Sequence, residues 1–414
     1  MAQGFSRNMV EVKQQNMAAV RNLLYRESPI SRVEISRRLG LTTSTVSNLV
    51  GELLAQGVAK ENARTAPAEP GKGAGRRPVD LCLNAENRLV LGISIEAEMT
   101  RYCITDLRGN MQTKGEYVPL MGRSYEDLLQ ELTALLGRLR TENPQTWDRL
   151  LGIGIAVASI VDSEAGVLPG ALSERPGEAY LEDWQNKPLA RTLEQISGLP
   201  VCLENIVRAR AVEVMLFHPE LLEGETTFAF CHAAYGVTCP LILQRETLRG
   251  RDDAVGEIGR MTVEPSQGKM GYLGELVGIN SLKQQCRDAM AKGRAPVLSQ
   301  LCPDPEALTM RQILDAQNAG DASVSEILRQ AAVYLGITLA NLVDFINPRL
   351  IFLSGPIFRN ECNIETVRRE VKARAYWPST APLRLVPIDL GDFGGAIGGA
   401  AACVSAYFLQ AHGE

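Results

Sequence analysis

Between Thr43 and Asn48 the chain gathers Thr43, Ser44, Thr45, Ser47 and Asn48, short side chains whose chemistry is hydrogen bonding. Val46, Leu49, Val50, Leu53 and Leu54 interrupt and follow them at helical spacing. The polar set therefore falls together near the N-terminus of one helix while the apolar set faces inward. Hydroxyls and a carboxamide of this size suit base edges in a DNA major groove and the phosphates beside it. A second group is cationic. Gly75-Arg76-Arg77-Pro78 is an extended basic element, and the guanidinium groups of Arg76 and Arg77 suit a narrow, electronegative minor groove. Both groups point to recognition of double-stranded DNA. The alternatives are an ordinary three-helix scaffold with a solvated Ser/Thr face and, for the arginines, a linker with two solvated charges.

The elements that must hold these residues are legible around them. Ser31, with Glu34 three residues on, predicts a capping box opening a first helix that buries Val33, Ile35 and Leu39 and ends at Gly40. The second helix opens at Thr42 or Thr43. An amphipathic segment from about residue 16 to 25, with Met17, Val20 and Leu24 inward, supplies the third helix that a helix-turn-helix packs against. The run 58–61, a loop rich in Ala, Pro and Gly, and the alternation of Val79, Leu81 and Leu83 predict a hairpin wing. Arg21, Arg26, Arg32, Arg37 and Arg38 are phosphate contacts or surface.

Charge is divided in the same way. Residues 1–80 carry a net charge of +5 and residues 81–414 carry −10. A basic head on an acidic body fits phosphate binding by the head, with salt-dependent affinity from counterion release. At 414 residues and 45% hydrophobic content the chain is long enough for two or three domains. It has no apolar run of about 18 residues and no signal-peptide core at its N-terminus, so a soluble, cytoplasmic protein away from the membrane is expected. Nine cysteines without C-x-x-C pairs fit reduced thiols. Cys231, His232 and Cys239 are metal-ligating types set in strand-like apolar sequence, where buried cysteine is common, and no metal is expected.

From residue 88 the pattern is strand, turn, strand: 89–95, 101–106 and 111–117, then a helix over 125–140, a strand over 151–157, and a loop carrying Asp162 and Gly166. A similar unit starts near Thr226, with strands over 228–231 and 237–243, a long helix over 324–345 and a strand over 350–354. The expected architecture is an N-terminal winged helix-turn-helix domain, mainly α, over residues 1–83 with a Gly/Pro/Arg linker at about 62–78, followed over 84–414 by an α/β body in two halves with a cleft between them.

The order of these features is specific. A helix-turn-helix, Gly-Arg-Arg-Pro at 75–78, Leu-Gly-Ile-Ser-Ile at 91–95, Gly-Ile-Gly-Ile-Ala-Val at 152–157, Leu-Glu-Asn at 203–205, Gly-Glu-Ile-Gly-Arg-Met-Thr-Val at 256–263, Leu-Ser-Gly-Pro at 353–356 and Gly-Gly-Ala-Ile-Gly-Gly-Ala at 394–400 together resemble the ROK family of repressors and sugar kinases over nearly the whole chain. The resemblance implies an actin-like ATPase or sugar-kinase fold for the body, and for members with a winged helix, sugar-responsive transcription regulation as dimers or tetramers.

The enzymatic parts that the resemblance would bring are missing. Kinases of the family carry a glycine-rich turn after the first strand; here it is Glu96-Ala97-Glu98, two carboxylates that repel a triphosphate. The second phosphate loop corresponds to 233–238 and keeps one glycine, with Tyr235 where backbone access is needed. The kinases' catalytic Asp, which takes the sugar hydroxyl's proton, is Ile206, which accepts none. The histidine of the family's zinc site is Arg260, and no cysteine follows until Cys286. No cofactor and no catalytic residue are therefore expected.

The sugar pocket survives in part. The resemblance places Asn205, Glu257 and, with one residue of gap, Glu275 at sugar-contacting positions, a chemistry of amide and carboxylates suited to vicinal hydroxyls. Arg260 either pairs with Glu257 or admits an acidic sugar or sugar phosphate through bidentate contacts. Alternatively, Asn205, Glu257 and Arg260 form a buried polar network. The expected function is a sequence-specific DNA-binding regulator of carbohydrate-related genes, most simply a repressor. It would bind a palindromic operator as a homodimer or homotetramer, and its inactive kinase-like body would serve oligomerisation and sensing of a sugar or sugar-phosphate effector. The alternatives are an ATP-dependent sugar kinase fused to a DNA-binding head and a constitutive DNA-binding oligomer without effector.

Overall fold

The computed structural model describes residues 2–63, 79–120, 122–169, 183–263, 271–376 and 382–410, with side chains from Val10 onward. They form two compact units. One runs to Phe217 and takes in the C-terminal segment from Phe393; the other spans His218–Asp392.

The first unit begins with helix α1 (Ala2–Glu27), a short strand β1 (Ile30–Ser31), helix α2 (Arg32–Leu39), helix α3 (Thr43–Ala55) and the antiparallel pair β2 (Ala59–Ala63) and β3 (Val79–Leu83). Strand β1 pairs the other edge of β3, giving the order β1-β3-β2. This is a three-helix head with a hairpin wing, packed around Leu24, Ile35, Val50, Leu53 and Leu81, all fully buried.

Three details differ from the sequence expectation. Helix α1 runs back to Ala2 rather than starting near residue 16. Its first half exposes Val10 and Val12 and so carries no apolar period to read, although helix propagation adds a hydrogen bond for each residue. Val33 is exposed, at 70%, while Ile35 is buried. Two residues turn a helix by about 200°, so the two cannot share a face. Ser31 does cap α2, its Oγ accepting from the Glu34 N–H at 3.2 Å, but the reciprocal half of the capping box is absent. The Glu34 carboxylate instead takes Arg37 at 2.5 Å and Arg38 at 2.9 Å, and these guanidinium hydrogen bonds hold its carboxyl at about 2. Gly40 closes α2 in the left-handed region at φ 64°.

A five-stranded sheet follows, in the order β6-β5-β4-β7-β8: β4 (Leu89–Ile95), β5 (Thr100–Asp106), β6 (Met111–Tyr117), β7 (Leu150–Val157) and β8 (Val201–Asn205). The first three strands are an antiparallel meander, as their turn at Gly109 requires; β7 pairs β4 in parallel and β8 pairs β7 in parallel. The unit's helices are α4 (Tyr125–Glu142), α5 (Pro144–Trp147), α6 (Leu189–Ser197), α7 (Ile206–Phe217) and α14 (Gly394–Cys403), the last continuing into a π-helical turn, Val404–Leu409.

Strand periodicity divides the sheet's faces. Leu89, Leu91, Ile93 and Ile95 join the core formed with α4 and α6. Gly92 on the opposite face meets α14 so closely that a Cβ there would overlap the Ala396 carbonyl oxygen, and a Cβ on Gly154 would overlap that of Gly399.

The second unit holds the sheet β12-β11-β9-β15-β16, with β10 also on β9: β9 (Phe228–Ala233), β10 (Val237–Thr238), β11 (Leu241–Leu243), β12 (Glu246–Thr247), β15 (Leu350–Ser354) and β16 (Arg384–Pro387). The single strand expected over 237–243 is two. Pro240 lacks an N–H for the ladder and the Cys239 N–H donates to Gly256 O, so the strand is interrupted at 239–240, yet both parts keep one register along β9, with the Pro240 carbonyl accepting from Phe230. A two-stranded ribbon, β13 (Thr262–Val263) and β14 (Gly271–Tyr272), leads to the helices α8 (Leu273–Val277), α9 (Ile279–Ala291), α10 (Pro296–Leu301), α11 (Met310–Asn318), α12 (Ala322–Ile346) and α13 (Glu361–Arg374). Asp321 caps α12 through the Val324 N–H and also takes the N–H groups of Val297 and Leu298, tying α10 to it. Among the described residues no helix is long and apolar enough to cross a membrane.

The contact of α14 with the sheet generates a prediction. Gly154→Ala drives a methyl into backbone and should cost about 3 kcal/mol or more. Gly137→Ala, on α4 with open space around its Cβ, should stabilise by roughly 1 kcal/mol. Urea unfolding of both variants checks the pair; equal midpoints would contradict the described contact.

Candidate nucleic-acid interface and the polar site of the body

Thr42 caps α3 in an extended conformation, its Oγ1 accepting the Thr45 N–H at 3.2 Å and standing 2.9 Å from Ser44 Oγ and 2.8 Å from Thr45 Oγ1. Ser47 Oγ donates back to the Thr43 carbonyl at 2.7 Å. The five residues singled out on α3 thus lie within its first two turns, but they are not equivalent. Thr45 is half-buried and committed to the cap, and the Ser47 hydroxyl proton is committed to its own helix. Thr43, Ser44 and Asn48 are exposed, and the Asn48 carboxamide has no hydrogen bond among the described residues. An outward carboxamide one turn from two outward hydroxyls is a set that can read base edges.

Arg76 and Arg77 lie outside the described residues. Several head cations offered as phosphate contacts are already paired: Arg37 and Arg38 with Glu34, Arg32 with Glu61 at 2.7 Å. Arg21 is turned to the Gln410 carbonyl. The sequence reading passed over Gly51. It is exposed in the interior of α3, one turn beyond Ser47 and Asn48, with nothing within 4 Å of a Cβ placed there. A mid-helix glycine costs roughly 1 kcal/mol relative to alanine, and no packing contact among the described residues explains it; that cost was the available signal.

In the first unit of the body, Asn205 ends β8 and caps α7. Its Oδ1 accepts from Val207 N at 2.9 Å and Arg208 N at 3.1 Å, and its Nδ2 donates to Ser159 O at 2.8 Å. Beside it Glu204 and Arg208 form an ion pair at 2.9 Å, with side chains 3% and 4% exposed. Ile206 is buried in the position after Asn205. In the turn after β4, Glu96 accepts from Ser94 Oγ at 3.1 Å and pairs with Arg210 at 3.4 Å and Arg101 at 3.8 Å. That turn presents a neutralised carboxylate where a phosphate cradle would need free backbone N–H groups.

Glu257, Arg260 and Glu275 belong to the second unit. Glu257 precedes a 3-10 turn, Ile258–Arg260, and its carbonyl accepts from Arg260 N at 3.1 Å. The Arg260 guanidinium lies over the Tyr272 ring at 5.5 Å. Glu275 is exposed in the first turn of α8. The Leu273 N–H donates to Met261 O at 2.9 Å, which fixes the segments carrying Arg260 and Glu275 to each other.

Cys231 and Cys239 are fully buried neighbours; the hydrogen bond from Cys231, together with burial, pushes the Cys239 thiol far up, which is the behaviour of packing thiols. His232 Nδ1 is 3.2 Å from Ser354 Oγ. Among the described residues no group of three or more His, Cys, Asp or Glu is arranged to hold a metal ion.

Comparison with known proteins agrees with this geometry. The ROK family model matches residues 90–406, and a model described as winged helix-turn-helix DNA-binding matches residues 22–60. The xylose repressor of Bacillus subtilis is 25% identical over 94% of this chain and 94% of its own length. That of Caldicellulosiruptor bescii is 26% identical over 96% and 97%. The DNA-binding transcriptional dual regulator NagC of Escherichia coli is 24% identical over 84% and 82%. Among solved structures, a ROK family transcriptional regulator described as a homolog of the E. coli MLC protein superposes with a TM-score of 0.80 at 20% identity, covering 96% of this chain and 97% of that one. A ROK glucokinase of Streptomyces griseus in complex with glucose and AMPPNP superposes with a TM-score of 0.61 at 20% identity over 76% of this chain and 98% of its own. The regulator extends over the head, while the kinase shares the fold of the body.

Two predictions follow from the face of α3. Ser44→Ala combined with Asn48→Ala should weaken specific DNA binding and relax its sequence preference, checked by anisotropy titration on specific and scrambled duplexes; unchanged affinity for both would defeat the assignment. Gly51→Ala should raise head stability by roughly 1 kcal/mol and weaken DNA binding by crowding the helix against the duplex. A variant both more stable and equally tight would remove Gly51 from the interface.

Proposed function

This chain belongs to the ROK family, and we propose that it is a repressor of carbohydrate-related genes that binds a palindromic operator and responds to a sugar or sugar-phosphate effector. It is a transcription regulator that binds DNA through a winged helix-turn-helix, and it is not a kinase. The observation that carries the reading is the pairing of two features: a capped α3 with an outward hydroxyl and carboxamide face, and a body whose proton-acceptor position is the buried Ile206.

We assign residues 1–83 to the head and 84–414 to the body. The head reads the major groove through Thr43, Ser44 and Asn48, with Thr45 and Ser47 shaping the helix end and Arg76 and Arg77 in the minor groove. Two-fold symmetric dimers read two half-sites one helical turn apart or a multiple of it, so the working species is a homodimer or a pair of them.

The body senses rather than turns over. An effector held in the second unit by Glu257, Arg260 and Glu275 acts through its differential affinity for two conformations of the regulator. The relatives named for xylose, and a further relative 24% identical that is named the N-acetylglucosamine repressor of Escherichia coli O6:H1, set the first candidates, and Arg260 favours adding their phosphates.

The test is a thermal-shift panel of pentoses, hexosamines and their phosphates with the full-length chain, run beside a coupled ADP-release assay. A true effector at about 100 times its Kd should add about 2.7 kcal/mol of stability, and Arg260→Ala should remove the response to a phosphorylated ligand. Neither the wild type nor Ile206→Asp should release ADP, because the glycine loops are missing as well; sugar-dependent turnover by the wild type would overturn the proposal.

A further inference from the structure

The last turn of the chain's described part is seated on the first helix. Asn22 Nδ2 of α1 donates to the Leu409 carbonyl at 2.6 Å, and Arg21 donates to the Gln410 carbonyl at 3.3 Å while its guanidinium lies 5.6 Å from the Phe408 ring. Tyr25, 2% exposed, packs at 6.3 Å against Phe408, donates to the Leu216 carbonyl at 3.4 Å at the end of α7, and is covered by the Arg108 guanidinium at 4.5 Å. Six contacts of three kinds therefore converge on one face of α1, four of them from residues 408–410, and α1 is the helix against which α2 and α3 are built.

The segment that receives them is the far end of a single rod. Residues 404–409 are π-helical and continue α14, and π-turns recur at functional sites. The near end of α14 lies at the polar site. A Cβ on Gly395 would stand 2.8 Å from Ile206 Cδ1, 2.8 Å from Ser94 Cβ and 3.1 Å from Glu96 Oε1. Ile206 follows Asn205, and the Glu96 carboxylate sits over the first turn of α14, where negative charge favours the helix dipole. From Gly394 to Leu409 the rod spans roughly 24 Å. Between its ends its backbone rests directly on that of Gly92 and Gly154, without side chains to absorb a displacement, and packed interiors deform little.

We propose that α14 and its π-helical turn transmit events at the Glu96–Asn205 end of the body to the DNA-binding head, and that Asn22, Arg21 and Tyr25 are the positioning residues that receive them. The head is then aimed by the turn at 404–410 as well as by the short segment 84–88 that joins β3 to β4. Because α14 cannot slide on the sheet it rests on, a small displacement at its near end is carried to α1 rather than absorbed, and it re-aims α3 while leaving its base-reading face intact. The inference uses the DNA-binding reading only for its affinity readout.

The experiment uses the full-length chain with Gly395→Ala, Glu96→Gln and Asn22→Ala, and with each of the first two combined with Asn22→Ala. Backbone hydrogen exchange of residues 18–26 is measured without DNA, and Kd is measured for the duplex that the wild-type chain selects from a random library. The expected result is faster exchange over 18–26 in both Gly395→Ala and Glu96→Gln, with a shift in Kd of about fivefold or more that shrinks to within about twofold once Asn22 is alanine. Wild-type exchange over 18–26 in both variants, or a Kd shift of equal factor with and without Asn22, overturns it. Should Gly395→Ala fail to fold, Glu96→Gln, which keeps the side-chain volume, decides the matter. Failure to select any duplex would count against DNA recognition, while the exchange data would still decide the coupling.

Discussion

Helix α14 lies on strands β4 and β7 with backbone against backbone, and the rest of the first unit is arranged around that contact. Where Gly92 and Gly154 meet Ala396 and Gly399, helix and sheet touch through backbone, with the Cys403 side chain packed beside the crossing. The separation is therefore set by carbonyl oxygens and amides, which do not repack as side chains do. This fixes where the N-terminus of α14 stands relative to the turn at Glu96 and the cap at Asn205. It also fixes where the C-terminal turn emerges to meet α1. The opposite face of the sheet can then be an ordinary aliphatic core, with Leu91, Ile93 and Ile95 against α4.

The polar site shows how a kinase-like body is retained without kinase chemistry. Asn205 keeps its place because it closes the β8–α7 junction with three hydrogen bonds, a structural duty independent of phosphoryl transfer. Ile206 removes the proton acceptor at no cost to packing, since the position is buried. Glu96 brings a carboxylate to the turn after β4, and Arg101, Arg210 and Ser94 neutralise it. A carboxylate held there by its own counterions occupies the turn where a phosphate cradle would need free backbone N–H groups. In the second unit Arg260 is stacked on Tyr272, a cation held by an aromatic face and presented at the position where kinases of the family keep a metal ligand.

Much of this was legible in the sequence because it depends on local rules. Ser31, Gly40 and Thr42 bound their helices through short-range hydrogen bonds and a left-handed turn, alternation marked β3, and apolar runs marked β4 and β7. What was not legible depends on distance or on geometry finer than a pattern. Val33 was placed in the core by composition although a two-residue offset from Ile35 forbids it. The strand over 237–243 is interrupted at 239–240, where Pro240 offers no N–H, although it keeps its register along β9. The seating of Leu409 and Gln410 on α1 joins segments 387 and 389 residues apart, and no periodicity in either segment announces it. The cap duty of Asn205 was likewise hidden, because an amide looks the same in a sequence whether it faces a ligand or its own backbone.

The account rests on one claim, that this body is coupled to sequence-specific DNA recognition instead of to phosphoryl transfer. The most direct measurement is genome-wide mapping of the fragments bound by the purified full-length protein at near-physiological salt, with and without a pooled mixture of sugars and sugar phosphates, because phosphate-driven binding alone is non-specific and salt-sensitive. The account predicts a two-fold symmetric motif whose occupancy falls when the pool is added. Binding without any motif, indifferent to sequence and to the pool, would contradict it.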